Sequence, residues 1–489
     1  MRNNIFHILI ISAITLLGGF SAHAQKKEAL SFDQVNLQTY VYYENGQWDS
    51  LILLGERAIA DSIDYFYLRT RLGISYYNKG KYRKAIPHFE KALTYNSSDE
   101  TTLNYLYYSY LYGGRVADAN LLLRKFSSSQ LKTLGRKKFE LITGGLYEGG
   151  FASNNNLYNN AALDIDGMEN ICGMQDLNDN YSFSTLFLRH KISNRITINQ
   201  GFTILNVNKT KRLIASYLPV PIVYNTKYNV IQKEYYINAG ISLGRGWQAI
   251  PAFHLLNTQY NIWNAKFDVN SGTVSIKPGD TSFNNYASSL SFTKEVRNHA
   301  FELTVTKSNL NGRQQSQFGG AFTLYPFSNL NFYSRTQLMI QTINVTTGAP
   351  SSPIFKTAAG PLGPGGPGSQ QQFTKTRFRN AIIEEMIGVK ITKFLWAEAF
   401  VTYGDMIDYV EKNAYVVYNL NDKITKRVGG SLIFIISPAL DFSIRTSYSW
   451  CDSFYIKYVP NTEAGNFKPV PTITNYTQFQ ITGGLQWKL

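Results

Sequence analysis

The last eleven residues, 479–489, read FQITGGLQWKL, and their side chains alternate between apolar and polar. Successive side chains of a β-strand point to opposite faces, so this alternation predicts a strand with one face in an apolar medium and the other in water. The odd positions form the apolar face: Phe479, Ile481, Leu485, Trp487 and Leu489.

The same alternation recurs in residues 195–207, 234–243, 301–306 and 441–450. A soluble β-sandwich gives the same pattern, so the connections between strands decide the fold. Tight turns at 193–194, 244–246, 297–298, 326–328, 392–393 and 437–438 alternate with long polar links at 152–180, 209–227, 268–284, 346–376 and 411–425. Short periplasmic turns and long extracellular loops are typical of an outer-membrane β-barrel.

The pattern predicts about fourteen antiparallel strands, and an even number leaves both ends of the barrel in the periplasm. Twelve or sixteen strands stay open, because the apolar face of strand 379–391 includes Glu385 and because residues 414–419 could add a short strand. The predicted strands are 139–150, 181–192, 195–207, 229–243, 246–262, 285–296, 299–310, 314–325, 330–345, 379–391, 395–410, 426–436, 440–457 and 474–488.

The N-terminus predicts export. Arg2 precedes an apolar stretch at 5–20, and Ala22 and Ala24 fit a signal-peptide cleavage site, so residues 1–24 are expected to be removed. No cysteine follows that could carry a lipid. After this segment no run approaches the roughly 20 apolar residues of a membrane-spanning helix. The composition, 14% aromatic and 17% charged, is typical of alternating barrel strands.

Residues 25–135 have helical periodicity and an internal repeat, in which Gly46, Gly80 and Gly114 are each 34 residues apart. The middle copy resembles the tetratricopeptide repeat, whose period is also 34 residues. The flanking copies are degenerate. The resemblance implies a short all-α solenoid that binds partners through its concave face. Its packing residues would be Gly46, Leu72, Gly73, Tyr76, Gly80, Ala85, Phe89, Ala92, Gly114 and Ala119.

The C-terminal strand also resembles the signal that the barrel assembly machinery reads, through Thr482, Gly484, Trp487 and Leu489. This resemblance implies a Gram-negative outer-membrane protein and makes that machinery a partner during biogenesis. The predicted fold class is α+β and multidomain, with the helical solenoid followed by a closed antiparallel transmembrane barrel at 136–489, surrounded by outer-membrane lipid.

The net charge of +15 does not indicate nucleic-acid binding, because an exported chain rarely meets nucleic acid and the cations are spread along the sequence. The modest cluster at 136–138 is expected near lipid headgroups.

Two cysteines define neither a disulfide framework nor a metal site. Cys172 and Cys451 are both expected near the outer rim, where they form either a disulfide that closes the seam or two free or buried thiols.

Catalysis finds little support, since the mature chain has four histidines and no hydrolase, zinc-protease or P-loop motif, and no cofactor is indicated.

A barrel wider than eight strands must hold water or a plug. Mixed charges facing that space could tune the selectivity of a pore or pair and block it: Glu234, Glu302, Arg335, Glu398 and Arg445. The Gly- and Pro-rich segment 348–372 is the longest predicted loop, either a constriction at the mouth or a surface feature.

In architecture the chain resembles outer-membrane exporters whose tetratricopeptide repeats collect a polymer or an inner-membrane partner beneath the pore. That resemblance implies a channel or export port with a periplasmic adaptor domain. The alternative is a non-conducting anchor or an assembly or secretion subunit that presents the repeats in the periplasm. An open lumen would favour the first function, and a lumen closed by salt bridges or loops would favour the second.

Overall fold

The structure is a computed structural model and describes residues 29–136, 141–155, 172–215, 222–268, 273–347, 374–419, 422–461 and 466–488. The predicted signal peptide, the Gly- and Pro-rich segment 348–372 and Leu489 lie outside the described residues. Among the helices that are described, none has both the length and the apolar character needed to cross a membrane.

The described N-terminal part is helical. Seven helices follow one another: α1 (Phe32–Glu44), α2 (Trp48–Ala60), α3 (Phe66–Asn78), α4 (Tyr82–Tyr95), α5 (Glu100–Tyr112), α6 (Val116–Leu122) and α7 (Ser128–Thr133). The first six form three pairs, and the turn within each pair contains one of the regularly spaced glycines. Gly46, Gly80 and Gly114 have φ of 64°, 67° and 82°, a backbone conformation that a residue without a Cβ adopts readily.

Small residues let the helices of the middle pair approach closely. A Cβ on Gly73 of α3 would lie 2.4 Å from the ring of Phe89 of α4, and Phe89 itself is fully buried. The other residues that carry the repeat resemblance are also buried in this domain: Leu72, Tyr76, Ala85, Ala92 and Ala119. The two helices therefore pack with the ring of one in the space left by the missing side chain of the other.

Fourteen antiparallel strands form the closed barrel, which confirms the predicted fold class and strand number. They are β1 (Ile142–Asn154), β2 (Cys172–Lys191), β3 (Ile196–Ala215), β4 (Ile222–Gly244), β5 (Trp247–Asp268), β6 (Thr273–Val296), β7 (His299–Ser308), β8 (Gln314–Leu324), β9 (Phe332–Thr347), β10 (Thr374–Lys390), β11 (Leu395–Met406), β14 (Lys423–Ser437), β15 (Leu440–Asn461) and β16 (Asn466–Lys488). Pairing of β1 with β16 closes the barrel, with Gly145 opposite Trp487.

Several strands extend further than the alternation predicted. β5 and β6 remain paired from Trp247 opposite Lys294 up to Asp268 opposite Thr273, although the sequence predicted a loop over 268–284. Pro278 and Gly279 favour a turn in the sequence, but β6 continues through them, with Pro278 opposite Trp263.

The outward face of the barrel is apolar, and the inward face is polar. Leu303 and Phe318 are 59% and 58% exposed on the outside, whereas Gln341 and Ser291 are fully buried inside. Six links of two to seven residues lie at one end, here called the turn end, and the remaining links, three of which exceed fifteen residues, lie at the other, the loop end.

The link between β11 and β14 is the one described connection that enters the barrel. It contains a two-stranded sheet, β12 (Val410–Glu411) and β13 (Val416–Val417), that is separate from the barrel wall. The additional strand considered at 414–419 is therefore part of this internal hairpin. The predicted end of the eleventh strand at residue 410 is also wrong, because β11 ends at Met406 and the chain turns inward.

The helical domain packs against the turn end. Arg83 of α4 forms an ion pair with Glu295 of β6 at 2.5 Å, and its backbone N–H donates to the carbonyl of Ser328 at 2.8 Å. The Asn329 side chain donates to the carbonyl of Gly80 at 2.9 Å. The glycine turns of the repeat thus contact the barrel's own turns.

Candidate functional site

The most distinctive feature of the barrel is residues 407–419, here called the lumen hairpin. Val410 lies opposite Val417 and Glu411 opposite Val416, and a four-residue turn joins them. Lys412, Asn413 and Ala414 in that turn have φ of 49°, 56° and 63°, which is unfavourable for residues with a Cβ. Such a tip persists only where its surroundings hold it.

Three strands hold the tip. The hydroxyl of Tyr236 on β4 donates to the carbonyl of Asn413 at 3.1 Å. Nδ1 of His254 on β5 lies 2.7 Å from the carbonyl of Ala414. The hydroxyl of Ser291 on β6 donates to the Asn413 side chain. One wall of the barrel therefore fixes the strained turn through both backbone and side-chain groups.

The start of the hairpin is attached to the next part of the wall. The Asp408 carboxylate pairs with Arg313 at 2.5 Å and accepts from the Asn311 side chain at 2.5 Å. The amide of Gln341 on β9 donates to the carbonyl of Ile407 at 2.8 Å. The Gln317 amide of β8 lies within 2.8 and 2.9 Å of the carbonyl and N–H of Val410.

The hairpin also contacts other strands of the wall. The hydroxyl of Tyr415 donates to the carboxylate of Glu148 on β1 at 2.9 Å. Glu411 accepts from the guanidinium of Arg427 on β14 at 2.7 Å, and Arg427 lies 3.3 Å from Glu384 on β10. The hairpin is therefore bonded to opposite walls and crosses the lumen.

An aromatic layer lies where the hairpin meets β2 and β4. The ring centroid of Tyr415 is 5.6 Å from that of Phe187 and 5.2 Å from that of Tyr236. Val410 and Ala414 are buried in the same cluster. This packing gives the hairpin an apolar contact, and a second apolar cluster packs Tyr409 with Met339, Ile382 and Met406.

Two cavities flank this layer. One, of about 220 Å³, lies between the hairpin and the inner faces of β1–β4, β10, β11 and β14–β16, and it is lined by Tyr415, Glu148 and Arg427 among others. The second, of about 560 Å³, lies toward the helical domain and is lined by Phe187, Arg189 and Asp118 among others. The hairpin and Phe187 thus separate a space within the barrel from a space at its turn end.

Of the five residues predicted to face the lumen, Glu234, Glu398 and Arg445 line the smaller cavity, and four of the five contact a neighbouring side chain. Glu234 lies 3.1 Å from His254, and Glu302 lies 3.4 Å from Arg335. Glu398 accepts from Tyr333 at 2.5 Å, and Arg445 lines the smaller cavity.

Sequence reasoning missed the residues that fix the hairpin. Glu148, Glu384 and Arg427 lie on predicted strands, so their inward direction could have been read from the alternation. Glu411 and Tyr415 could not, because they lie in a link whose local sequence does not show that it turns inward.

The cysteines are apart. Cys451 is a free and buried thiol, and it lies opposite Ile424 and Tyr476. The backbone of Cys172 pairs instead with Tyr458, seven positions further along β15. At about 3.3 Å per residue this shift exceeds the reach of a disulfide, about 7 Å between Cα atoms. The considered seam disulfide is therefore not formed, because the two strands meet in a different register.

The residues of the terminal signal lie at the seam. Thr482 is buried in the lumen, Gly484 lies opposite Glu148, and Trp487 lies opposite Gly145. Their outward neighbours Phe479, Ile481 and Leu485 are exposed on the apolar face. The last strand therefore has its polar side chains toward the lumen and its apolar side chains outward, as the other strands of the wall do.

A cluster of tyrosine rings lies on the helical domain. Tyr77 contacts Tyr82, Tyr105 and Tyr112 with centroid distances of 5.2, 5.0 and 6.4 Å, and Tyr112 also contacts Tyr108. These residues come from α3, α4 and α5. Partly exposed aromatic rings with polar hydroxyls are common at protein interfaces, which makes this cluster a candidate contact surface.

Comparison with known proteins supports the repeat and adds little on the barrel. The tetratricopeptide repeat family model matches residues 67–99. No curated protein sequence matches the chain. The toluene transporter TodX of Pseudomonas putida is 9% identical, with 70% of this chain and 89% of that chain covered and a TM-score of 0.37.

A FadL homologue of Pseudomonas aeruginosa is also 9% identical, with 71% of this chain and 90% of that chain covered and a TM-score of 0.35. The translocator domain of the autotransporter NalP of Neisseria meningitidis is 9% identical, with 78% and 99% covered and a TM-score of 0.28. At these identities and TM-scores the likenesses do not bear on what the chain does.

Proposed function

We propose that the protein is an outer-membrane channel or export port whose lumen hairpin is a gate, with a periplasmic helical domain that docks a partner. The observation that carries the proposal is the pairing of β11 directly with β14, from Leu395 opposite Phe434 to Met406 opposite Ile424. The wall is complete without the hairpin. The hairpin can therefore leave the lumen without breaking a hydrogen bond of the barrel ladder.

The apolar outer face supports the membrane location. Large apolar side chains are exposed around the wall, and a closed barrel leaves no unpaired strand edge, which is what a lipid bilayer requires. Short turns are typical of the periplasmic end of such barrels. Because the helical domain packs against those turns, we place it in the periplasm and the longer links outside the cell.

The nature of the contacts supports a movable gate. Most attachments of the hairpin are single hydrogen bonds to side chains of the wall, each of which contributes about 0.5–1.5 kcal/mol net, or about 1.5–3 kcal/mol where a charge is involved. Water can replace these partners once the hairpin moves. The cavities on its two sides supply the space that such a movement needs.

Single-channel conductance in planar bilayers tests the proposal. The full chain is compared with a variant in which residues 409–417 are replaced by Gly and Ser, and heat-modifiable gel mobility shows that each barrel is folded. We expect brief, rare openings from the full chain and a stable open level from the variant. A folded variant that conducts no ions would contradict a gated channel.

The second candidate function is a non-conducting anchor that presents the repeats in the periplasm as an assembly or secretion subunit. The contacts of the hairpin with opposite walls favour it, since a lumen crossed by a bonded segment is closed at rest. The same variant discriminates the two functions, because an anchor gains no conductance when the hairpin is removed.

In both functions the partner would bind the helical domain. The tyrosine cluster of α3–α5 is the proposed contact for a periplasmic or inner-membrane protein. Neither function requires a catalytic step or a cofactor.

A further inference from the structure

The cavity between the helical domain and the turn end, here called the vestibule, has an excess of positive charge. Its volume is about 560 Å³, within the usual range of about 300–1,000 Å³ for ligand sites. Its charged lining residues comprise six cations and two carboxylates: Arg115, Arg136, Arg189, Lys191, Arg195 and Lys488, with Asp118 and Glu295. Of the cations, Lys488 pairs with Asp441 outside the lining at 2.6 Å.

Both carboxylates of the vestibule are already bound. Asp118 pairs with Arg115 at 2.8 Å and accepts the N–H of Gly246 at 3.1 Å. Glu295 pairs with Arg83, which comes from outside the vestibule lining. These pairs leave no carboxylate in the vestibule to neutralise the remaining arginines.

Two arginines of the barrel are accordingly left with their charges uncompensated. Arg189 lies at the turn end of β2 and Arg195 in the turn that follows it, and neither forms an ion pair with any residue that the structure describes. Both residues are exposed and line the vestibule. A guanidinium presents a planar fork of N–H donors that matches carboxylate and phosphate oxygens.

A third arginine approaches from the helical domain. Arg136 donates through Nε to the hydroxyl of Tyr107 on α5 at 3.1 Å, so its position is fixed from the helical side. No ion pair to Arg136 is found in the described part of the chain. Arginines of both domains therefore line one water-accessible space, and their summed field attracts multivalent anions.

We propose that the vestibule is a binding site for multivalent anions that carry carboxylate or phosphate groups, with Arg189 and Arg195 as ligands on the barrel and Arg136 as the ligand on the helical domain. Hydroxyl and amide side chains complete the lining and supply further hydrogen bonds: Thr143, Asn194, Thr197, Asn199 and Gln248. A bound anion would bridge the two domains directly below the lumen hairpin. The site goes beyond the proposed gate, because an anion can bind whether or not the hairpin moves.

Binding is measured by the fluorescence anisotropy of 8-hydroxypyrene-1,3,6-trisulfonate, with the full chain in a nonionic detergent at fixed low salt. We expect the Arg189→Gln/Arg195→Gln variant to bind this trianion roughly tenfold more weakly or worse, as the loss of two charge-assisted contacts implies. The Arg189→Lys/Arg195→Lys variant keeps the charge and should retain part of the affinity. Heat-modifiable mobility shows that each barrel is folded.

The matched control is Lys91→Gln/Arg124→Gln, which removes the same charge from exposed residues that do not line the vestibule. Affinity that falls equally in the control and in the Arg189/Arg195 variant, or in neither, would overturn the proposal.

Citrate and tripolyphosphate are then added as competitors of the bound probe. Displacement by citrate supports carboxylate ligands, displacement by tripolyphosphate supports phosphate ligands, and displacement by neither overturns the site. Conductance is not part of this measurement, so a failure here is separate from a failure of the gate.

Discussion

Tyr415 and Glu148 are 267 residues apart in the sequence, and the hydroxyl of the first donates to the carboxylate of the second at 2.9 Å. One residue lies in the hairpin and the other on the first strand of the wall. The bond therefore joins the hairpin to a wall strand that lies three to five strands round the barrel from those that hold its tip. It is the contact whose loss should most simply weaken the closed state.

Tyr415→Phe removes the bond to Glu148 and keeps the ring in the aromatic layer with Phe187. A hydrogen bond to a charged group is worth about 1.5–3 kcal/mol, so the ratio of open to closed time should rise about tenfold or more. Single-channel recording measures this ratio. Tyr403→Phe is the control, because that ring lies on the outer face and is 66% exposed. An unchanged ratio in Tyr415→Phe would show that the bond does not hold the gate.

Arg427→Met should loosen the hairpin more strongly. Glu411 is buried and depends on Arg427 at 2.7 Å, and removal of one partner of a buried pair costs about 3–5 kcal/mol because the other charge is left unpaired. We expect faster amide hydrogen exchange in residues 407–419. The double variant Glu411→Gln/Arg427→Met removes both charges and should recover part of the protection. Equal exchange in all three proteins would contradict the role of this pair.

Arg83→Met should release the helical domain from the barrel. The Arg83 side chain is fully buried, pairs with Glu295, donates to the carbonyl of Arg297 at 2.7 Å and lies 3.7 Å from the ring centroid of Tyr325. The expected loss is again about 3–5 kcal/mol, seen as increased hydrogen exchange in the turns at 297–298 and 325–331. Lys84→Met, at the next position and exposed, should leave those turns protected.

Gly73→Ala should destabilise the helical domain by about 1–3 kcal/mol, because the added methyl group would overlap the Phe89 ring in a packed core. Gly80→Ala is the comparison. Its Cβ would have open space, with the nearest atom 4.0 Å away, but its φ of 67° is costly for alanine, by about 1–2 kcal/mol. Thermal unfolding of the full chains, followed by helical circular dichroism, should rank Gly73→Ala as the less stable. The reverse order would contradict the close helix packing.

Acid should destabilise the helical domain through two carboxylates. A hydrogen bond from His88 lowers the pKa of Glu56 below 4.5, and a hydrogen bond from Arg69 lowers the pKa of Asp64 below 3.8. Because these pKa values are lower in the folded chain than in the unfolded one, the stabilisation is complete above the ordinary values and is lost as the pH falls through the lowered ones. Helical circular dichroism in urea at pH 7 and pH 3 measures it.

The control for the pH dependence is a carboxylate without such partners. Glu56→Gln should flatten the change in stability between pH 7 and pH 3, whereas Glu44→Gln, at the exposed end of α1, should leave it as in the unaltered chain. If the two variants respond alike, the bond from His88 to Glu56 does not set the acid sensitivity.

Much of the architecture could be predicted from local sequence signals. The 34-residue spacing of Gly46, Gly80 and Gly114 reports a backbone requirement, a positive φ in each turn, and it locates the helix pairs. The alternation of apolar and polar residues reports which face of a strand meets lipid, and it gives the fourteen strands. Even Glu385, ambiguous in the sequence, lies on the outer face, where it accepts from Thr336 at 2.5 Å on the neighbouring strand.

The hairpin could not be predicted in this way. Residues 407–419 turn inward because they form hydrogen bonds or an ion pair with residues that are distant in the sequence: Arg313, Gln341, His254 and Glu148. A local pattern in the link specifies a turn but not the direction in which it folds. The composition of the Gly- and Pro-rich segment predicts either a constriction or a surface loop, whereas the segment that crosses the lumen has an ordinary composition.

The pairing of β1 with β16 has a consequence for how the molecule forms. Gly145 pairs with Trp487 across nearly the whole sequence of the barrel, so closure is among the most non-local steps that a chain of this length can take. Until that step, both terminal strands expose unsatisfied edges that can pair with other chains. The hairpin contacts strands on several sides of the barrel, so it can make all of these contacts only after the barrel has closed. Its insertion is therefore expected to be a late step of folding, and the intermediates before that step should have a lumen without the hairpin.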